Sequence, residues 1–144
     1  MDFPCSPAWF QAIRHLIVTS ASDSGFCERV AGQIAMAVDE ALCNIHRHGY
    51  HGDCGEVHIA ITTATDPNPT IDIVIDDQAQ QIETTEIRSR NLDKVRPGGL
   101  GVHLIQTIMD TAIWTKRTGG GMRLAMNKTA TTTSNKKTSI TKDS

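Results

Sequence analysis

Glu40, Asn44 and His48 follow one another at four-residue spacing inside a stretch, about Phe26 to His48, whose apolar pattern is helical. In a helix, positions i, i+4 and i+8 form one row along the axis. Phe26, Val30, Ile34, Val38 and Leu42 repeat at the same spacing, and Ile45 continues them. Val38 lies about 200° around the axis from Glu40. The polar row therefore turns away from the apolar stripe. Two chemistries are open to it. It is a solvated polar face, or it is a carboxylate base, an amide able to ligate Mg²⁺ and an imidazole for an anion, in line.

Asp77 stands at the end of a second pattern. Ile71, Ile73 and Ile75 alternate with Asp72, Val74 and Asp76, as in a half-buried strand. By that parity Asp77 shares the core-facing side. A carboxylate there costs several kcal/mol unless a donor meets it. It is either a strand end already in water or an acceptor waiting for a donor such as the exocyclic amine of adenine. The third piece is Pro97-Gly98-Gly99-Leu100-Gly101-Val102. Glycines just before a helix let backbone N–H groups approach phosphate oxygens, and the helix N-terminus adds partial positive charge. An ordinary glycine-rich helix start has the same look. No Gly-Lys-Ser/Thr follows, so it is not a P-loop, and no dinucleotide fingerprint fits.

These pieces need elements to hold them. A first helix is expected from about Pro7 to Ala21, with Ser6 as N-cap, Pro7 at N1 and Trp9, Ile13, Leu16 and Ile17 on its apolar side. Asp23-Ser24-Gly25 ends it, and Gly49-Tyr50-His51-Gly52 ends the second helix. Val57, Ile59 and Ile61 mark a strand. Asp66-Pro67-Asn68-Pro69 turns it into the Ile71–Ile75 strand, so the two are antiparallel neighbours. The polar stretch Gln78 to Arg96 reads as a functional loop with one short helix near Thr85 to Arg90. After Gly101 a helix follows, with Val102, Ile105, Ile108 and Met109 on one face. Strands over about Ala112 to Thr118 and Met122 to Asn127, joined by Gly119-Gly120-Gly121, complete the pattern. This order gives an α+β, two-layer sandwich: helices on one face of a mixed, mostly antiparallel sheet.

With 144 residues, 39% hydrophobic and 21% charged, the chain has material for one core. The expected layout is a single domain over 1–127 and a flexible polar tail over 128–144, which holds four Lys and one Asp. A net charge of −2 argues against nucleic-acid binding by bulk charge. No apolar run approaches the ~18 residues of a membrane span. Met1-Asp2-Phe3-Pro4 has no signal-peptide pattern, so a cytoplasmic protein with reduced thiols at Cys5, Cys27, Cys43 and Cys54 is expected. Cys43 is expected to pack as a small hydrophobe.

The order of the three pieces resembles the GHKL (Bergerat-fold) ATPases: a helix with E-x-x-x-N-x-x-x-H-G-Y, a strand ending in Asp, then G-G-L-G at a helix start. Within them, Glu40 to Tyr50 and Gly98 to Ile105, followed by Met109-Asp110, are similar to the anti-sigma factor serine/threonine kinases of bacterial partner-switching systems. The likeness spans about residues 7 to 128. It implies the GHKL ATP-binding fold, ATP and Mg²⁺ as cofactors, and as partners an anti-anti-sigma (antagonist) protein and a sigma factor, with a homodimer possible. It implies Glu40 as catalytic base, Asn44 as Mg²⁺ ligand, and His48 near the phosphates or bracing the site. Asp77 would accept from the adenine amine, with Ala79 at the adenine wall. Residues 91–101 would form a lid. In it Lys94 and Arg96 would meet phosphates, and Gly98, Gly99, Leu100, Gly101 and Val102 would line the nucleotide.

The chain also departs from the family. Asp77-Gln78-Ala79 stands where the family has D-x-G, and Gln81 replaces a second glycine. Gly120-Gly121-Met122 occupies the region of a family threonine, and only Met1 to Cys5 precede the first helix, where relatives have a strand. That sheet edge is expected to be missing or supplied by another chain. The departures support an alternative: a non-catalytic GHKL-like module that sequesters a sigma factor or antagonist. A metal site built from His46, His48, His51, His58, Cys43 and Cys54 is disfavoured, because His46 and His48 lie about 200° apart on a helix.

Overall fold

The computed structural model describes residues 1–83 and 99–131. Within them five strands form one sheet in the order β1-β2-β3-β5-β4, every pair antiparallel. Three helices cover one face of it, giving the expected two-layer α+β sandwich.

The edge strand is present in the chain itself. Asp2–Pro4 forms β1 against β2 (Glu56–Ala64), with Phe3 opposite Val57. Met1 completes the ladder, exchanging bonds of 3.0 and 2.9 Å with the Ile59 backbone, and the Cys5 N–H donates to Gly55 O at 2.7 Å. Phe3 is buried beneath it. This corrects the expectation of a missing or borrowed edge: three residues suffice because a paired backbone and one buried ring hold them.

Helix α1 (Pro7–Ser24) starts at Ser6, whose extended backbone fits an N-cap although its hydroxyl makes no cap bond. It runs three residues past the expected end. There Gly25 takes a left-handed conformation, and the Gly25 and Phe26 N–H groups close on Ser22 and Ala21 carbonyls, the Schellman arrangement. Its buried side is Phe10, Ile13, Ile17 and Ala21. Trp9 and Leu16, expected inside, are 46% and 39% exposed. Burial of Phe10 and Ala21 alongside Ile13 and Ile17 leaves those two outward, and Arg14 pairs with Asp39 of α2 at 3.0 Å.

Helix α2 (Glu28–Asn44) buries Ile34, Val38 and Leu42, the stripe read from its spacing. Cys43, half-buried, packs at the margin of that core. The helix changes its winding after Asn44, where no residue type marks the change. Ile45–Gly49 is a π-turn, closed by the Tyr50 N–H on Ile45 O at 2.8 Å. Strands β2 and β3 (Thr70–Asp77) pair with Val57 opposite Asp77 and Ile59 opposite Ile75. Ile71, Ile73 and Ile75 point at the helices, as do Leu124 and Met126 of β5 (Met122–Thr129), which lie opposite Ile75 and Ile73. Strand β5 continues two residues beyond Asn127. Helix α3 (Gly99–Ile108) adds Val102, Ile105 and Ile108, followed by Met109, to the buried set and packs along α2. Strand β4 (Thr111–Lys116) forms the outer hairpin with β5.

The far face of the sheet carries Asp72, Val74 and Asp76 of β3 opposite Asn127, Ala125 and Arg123 of β5. Arg123 binds Asp76 through Nε and Nη2 at 2.7 and 2.8 Å. That guanidinium holds the Asp76 carboxyl below the ordinary carboxylate range, against the opposing effect of burial. No helix of the described residues is long and apolar enough to cross a membrane.

Candidate functional site

Helix α3 meets α2 at Gly101. A Cβ placed there would lie 2.7 Å from Glu40 Oε2, 3.3 Å from Asn44 Nδ2 and 3.6 Å from Asn44 Oδ1. The polar row of α2 therefore faces the start of α3 and not open water; Glu40 and Asn44 are both half-buried. Only a glycine lets the α3 backbone come this near the carboxylate, since real Cβ atoms essentially never approach within 3.0 Å.

His48 does not continue the row. It sits in the π-turn, whose i→i+5 bonding takes more residues per turn. The side chain thus falls behind the line through Glu40 and Asn44, and it is exposed. Its neighbour His46 points the other way, with Nδ1 donating to Cys5 O at 2.9 Å and its ring edge-on to Phe10.

Asp77 is on the core face, as parity required, and 6% exposed. Its Oδ1 accepts two backbone N–H bonds, from Ala79 at 2.9 Å and from Met122 at 3.1 Å. Among the described residues no donor reaches Oδ2. Burial raises the Asp77 carboxyl above its usual range, and the two N–H bonds and Arg117 only partly offset that. A half-satisfied buried carboxylate is the acceptor expected of a purine-amine contact.

The carboxylate is fixed from several sides. The Arg117 guanidinium donates to Asp77 O at 2.6 Å. Gly121, with φ +82, presses its backbone against the same strand end: a Cβ there would be 1.9 Å from Asp77 O. Val102 and Met122 bury each other, with Ile82 and Trp114 beside them. Gly101 touches Glu40 and Asn44; the next residue packs on Met122, whose N–H holds Asp77. The three pieces singled out in the sequence thus converge on one region between α2, α3 and the end of β3.

The departures have local explanations. Ala79 is buried, and its methyl fills the space left by Gly49, where a Cβ would be 2.9 Å from it. Its φ is not positive, since His51 is the one non-glycine with positive φ among the described residues. The Gln81 side chain turns away to the β4–β5 hairpin, donating to Arg117 O at 2.7 Å and Gly121 O at 3.1 Å. In the region of the family threonine, the Met122 N–H bonds Asp77. Lys94, Arg96 and Gly98, with the helix expected near Thr85 to Arg90 and most of the tail, lie outside the described residues; Gly99 and Leu100 open α3. Among the described residues no three His, Cys, Asp or Glu side chains gather where they could hold a metal ion. The pattern of residue types missed Arg117 and Tyr50. The first binds a backbone carbonyl and leaves no sequence signal; the second stood inside the E-x-x-x-N-x-x-x-H-G-Y run.

Residues 3–128 match the histidine kinase-like ATPase domain. The chain is 31% identical over 134 residues to serine-protein kinase RsbW of Bacillus subtilis (strain 168), covering 89% of this chain and 82% of that one. The Bacillus pumilus (strain SAFR-032) RsbW is 26% identical over 139 residues, with 89% and 83% covered. In structure, the chain is similar to the histidine kinase domain of the Erythrobacter litoralis EL346 blue-light activated histidine kinase. The TM-score is 0.51 at 14% identity, covering 88% of this chain and 61% of that one. That likeness concerns the fold, and the chain spans less than two thirds of that neighbour.

Proposed function

The chain belongs to the histidine kinase-like ATPase domain family, and from that we propose that it binds Mg·ATP and phosphorylates a serine or threonine of a small antagonist protein. It is an anti-sigma factor in this reading, holding a sigma factor when the antagonist is absent, in the cytoplasm of a bacterium that uses partner switching. Its likeness to RsbW serine-protein kinases supports both halves. The observation that carries the proposal is the approach of the Gly101 backbone to Glu40 and Asn44. It leaves a carboxylate and an amide beside a helix N-terminus, with the Asp77 carboxylate as an acceptor whose Oδ2 meets no donor among the described residues.

Each residue then has a task. Asp77 accepts from the adenine amine through Oδ2. Ala79 closes the adenine wall against Gly49. The Asn44 side-chain oxygen suits a hard cation, and Mg²⁺, when bound, supplies charge neutralisation on the phosphates. The start of α3, Gly99 to Val102, presents N–H groups to phosphate oxygens, and Lys94, Arg96 and Gly98 are assigned to the same phosphates by the family resemblance. Glu40 takes the proton of the incoming hydroxyl as its oxygen bonds to the γ-phosphorus and the bond to the bridging oxygen breaks, releasing ADP. Phosphoryl transfer asks for positioning and charge more than covalent help, so this set is sufficient.

The test is transfer of labelled γ-phosphate to a candidate antagonist, with two variants. Glu40→Ala is expected to lower transfer by about 10²-fold or more while ATP still binds. Asp77→Asn keeps an oxygen for the Ala79 and Met122 N–H groups but is expected to lose ATP binding. ATP binding without transfer to any antagonist, and indifference to Glu40→Ala, would sink the kinase half and leave a nucleotide-gated binding module. Absence of any heat with Mg·ATP would leave a nucleotide-free one.

A further inference from the structure

We propose that Tyr50 is a positioning residue that locks the Asp77 strand end to the helix bearing Glu40 and Asn44, and so sets selectivity for a 6-aminopurine over a 6-oxopurine. The inference rests on the reading of Asp77 as the purine contact.

Tyr50 is the first residue after the π-turn, and its own N–H closes that turn. Its ring lies directly on Gly55: a Cβ at that position would be 2.1 Å from two ring carbons, so the ring passes only because position 55 has no side chain. The hydroxyl then reaches two segments. It donates its single proton to Glu56 O at 2.6 Å, at the start of β2, and accepts the Gln78 N–H at 2.8 Å, just past the end of β3. One oxygen thus ties the end of the α2 helical segment to both strands.

What the second bond holds is specific. The Gln78 N–H and the Asp77 carbonyl belong to the same planar peptide unit. Arg117 grips the carbonyl end at 2.6 Å and Tyr50 grips the N–H end at 2.8 Å. The next N–H, that of Ala79, returns to Asp77 Oδ1. With the peptide plane fixed at both ends, Oδ1 is committed to the backbone and Oδ2 is the oxygen left over. Partial burial raises the phenol above its ordinary range, so it remains a proton donor to Glu56 at neutral pH. If the N–H end is released, the plane turns about the Arg117 contact, Oδ2 moves, and the acceptor that distinguishes an amine from a carbonyl at the purine edge loses its aim.

Tyr50→Phe deletes the oxygen and keeps the ring on Gly55. Binding of ATP and inosine triphosphate is measured by calorimetry in both proteins, alongside amide exchange at Gln78. Wild type is expected to favour ATP. In the variant ATP affinity is expected to fall about five- to tenfold, the scale of one hydrogen bond. Inosine triphosphate should fall less, so the ratio contracts, and Gln78 exchanges faster. A purely structural role would lower the melting temperature and weaken both nucleotides alike. Arg117→Gln releases the other end of the same peptide and is expected to contract the ratio in the same direction, which serves if Tyr50→Phe does not fold. An unchanged ratio in a folded variant, or an unchanged Gln78 exchange rate, overturns the inference. Wild type that binds neither nucleotide overturns the function reading first and this inference with it.

Discussion

Gly101→Ala puts one methyl group between α3 and the polar row of α2. The added carbon would stand 2.7 Å from Glu40 Oε2, where ordinary contact begins at 3.4 Å. The carboxylate must therefore retreat by about 0.7 Å. Oε2 is the free end of a flexible side chain, so the retreat is cheap for the fold. Alanine inside a helix is also better than glycine by about 0.5–1 kcal/mol. Net stability should change by no more than about 1 kcal/mol, a few degrees in melting temperature for a domain this size. Catalysis is less tolerant. A base displaced by a large fraction of an ångström costs on the order of 10²-fold in rate. The assay is phosphate transfer to an antagonist at saturating ATP, with thermal unfolding of the same preparations. Transfer at the wild-type rate with an unchanged melting temperature would show that the Glu40 carboxylate does not act where the geometry puts it. A fall of more than about 10 °C would show that the contact is structural instead.

The β4–β5 turn offers a contrast between neighbours. Gly121→Ala meets both a positive φ and a backbone oxygen at 1.9 Å, whereas Gly120→Ala, at φ +120, meets nothing within 4 Å. The second should cost about 1–3 kcal/mol of strain; the first should cost clearly more, and equal melting temperatures would contradict the packing of Gly121 on Asp77. On the far face, Asp76 has its pKa lowered by Arg123, so its stabilisation is present above the unfolded carboxylate range and is lost as pH falls through the depressed folded value. Asp76→Asn should accordingly lower the melting temperature at pH 7 and lose that difference in strong acid. A constant difference across that range would count against the pairing.

Long, regular patterns carried most of the fold. The stripe from Ile34 to Leu42 located α2, and because the stripe set its phase, the direction of Glu40 and Asn44 followed. Strict alternation from Ile71 placed Asp77 on the core side before any contact was known. Short or ambiguous patterns failed. Three residues of β1 are too few to alternate, and the strand owes its place to backbone pairing with β2, extended by Met1 on Ile59, and to the buried Phe3 ring. In α1, Ile13 and Ile17 belong equally to a side shared with Trp9 and Leu16 or with Phe10 and Ala21; packing against α2 and the sheet, a tertiary fact, decides. The π-turn at Ile45 has no marker in residue type, so His48 was counted at the wrong angle. Of the groups around Asp77, Arg117 and Met122 act on or through backbone atoms, and backbone partners are invisible to a search for chemistry-bearing side chains.

The contact between Gly49 and Ala79 has a consequence for how this sequence can change. The two positions share a volume with room for one methyl group, now occupied from the strand side. Alanine at 49 is admissible once 79 is glycine, and the double exchange should then be milder than Gly49→Ala by itself. Tolerance at the two sites is therefore expected to be coupled: a side chain at 49 fits only after 79 has given up its methyl group.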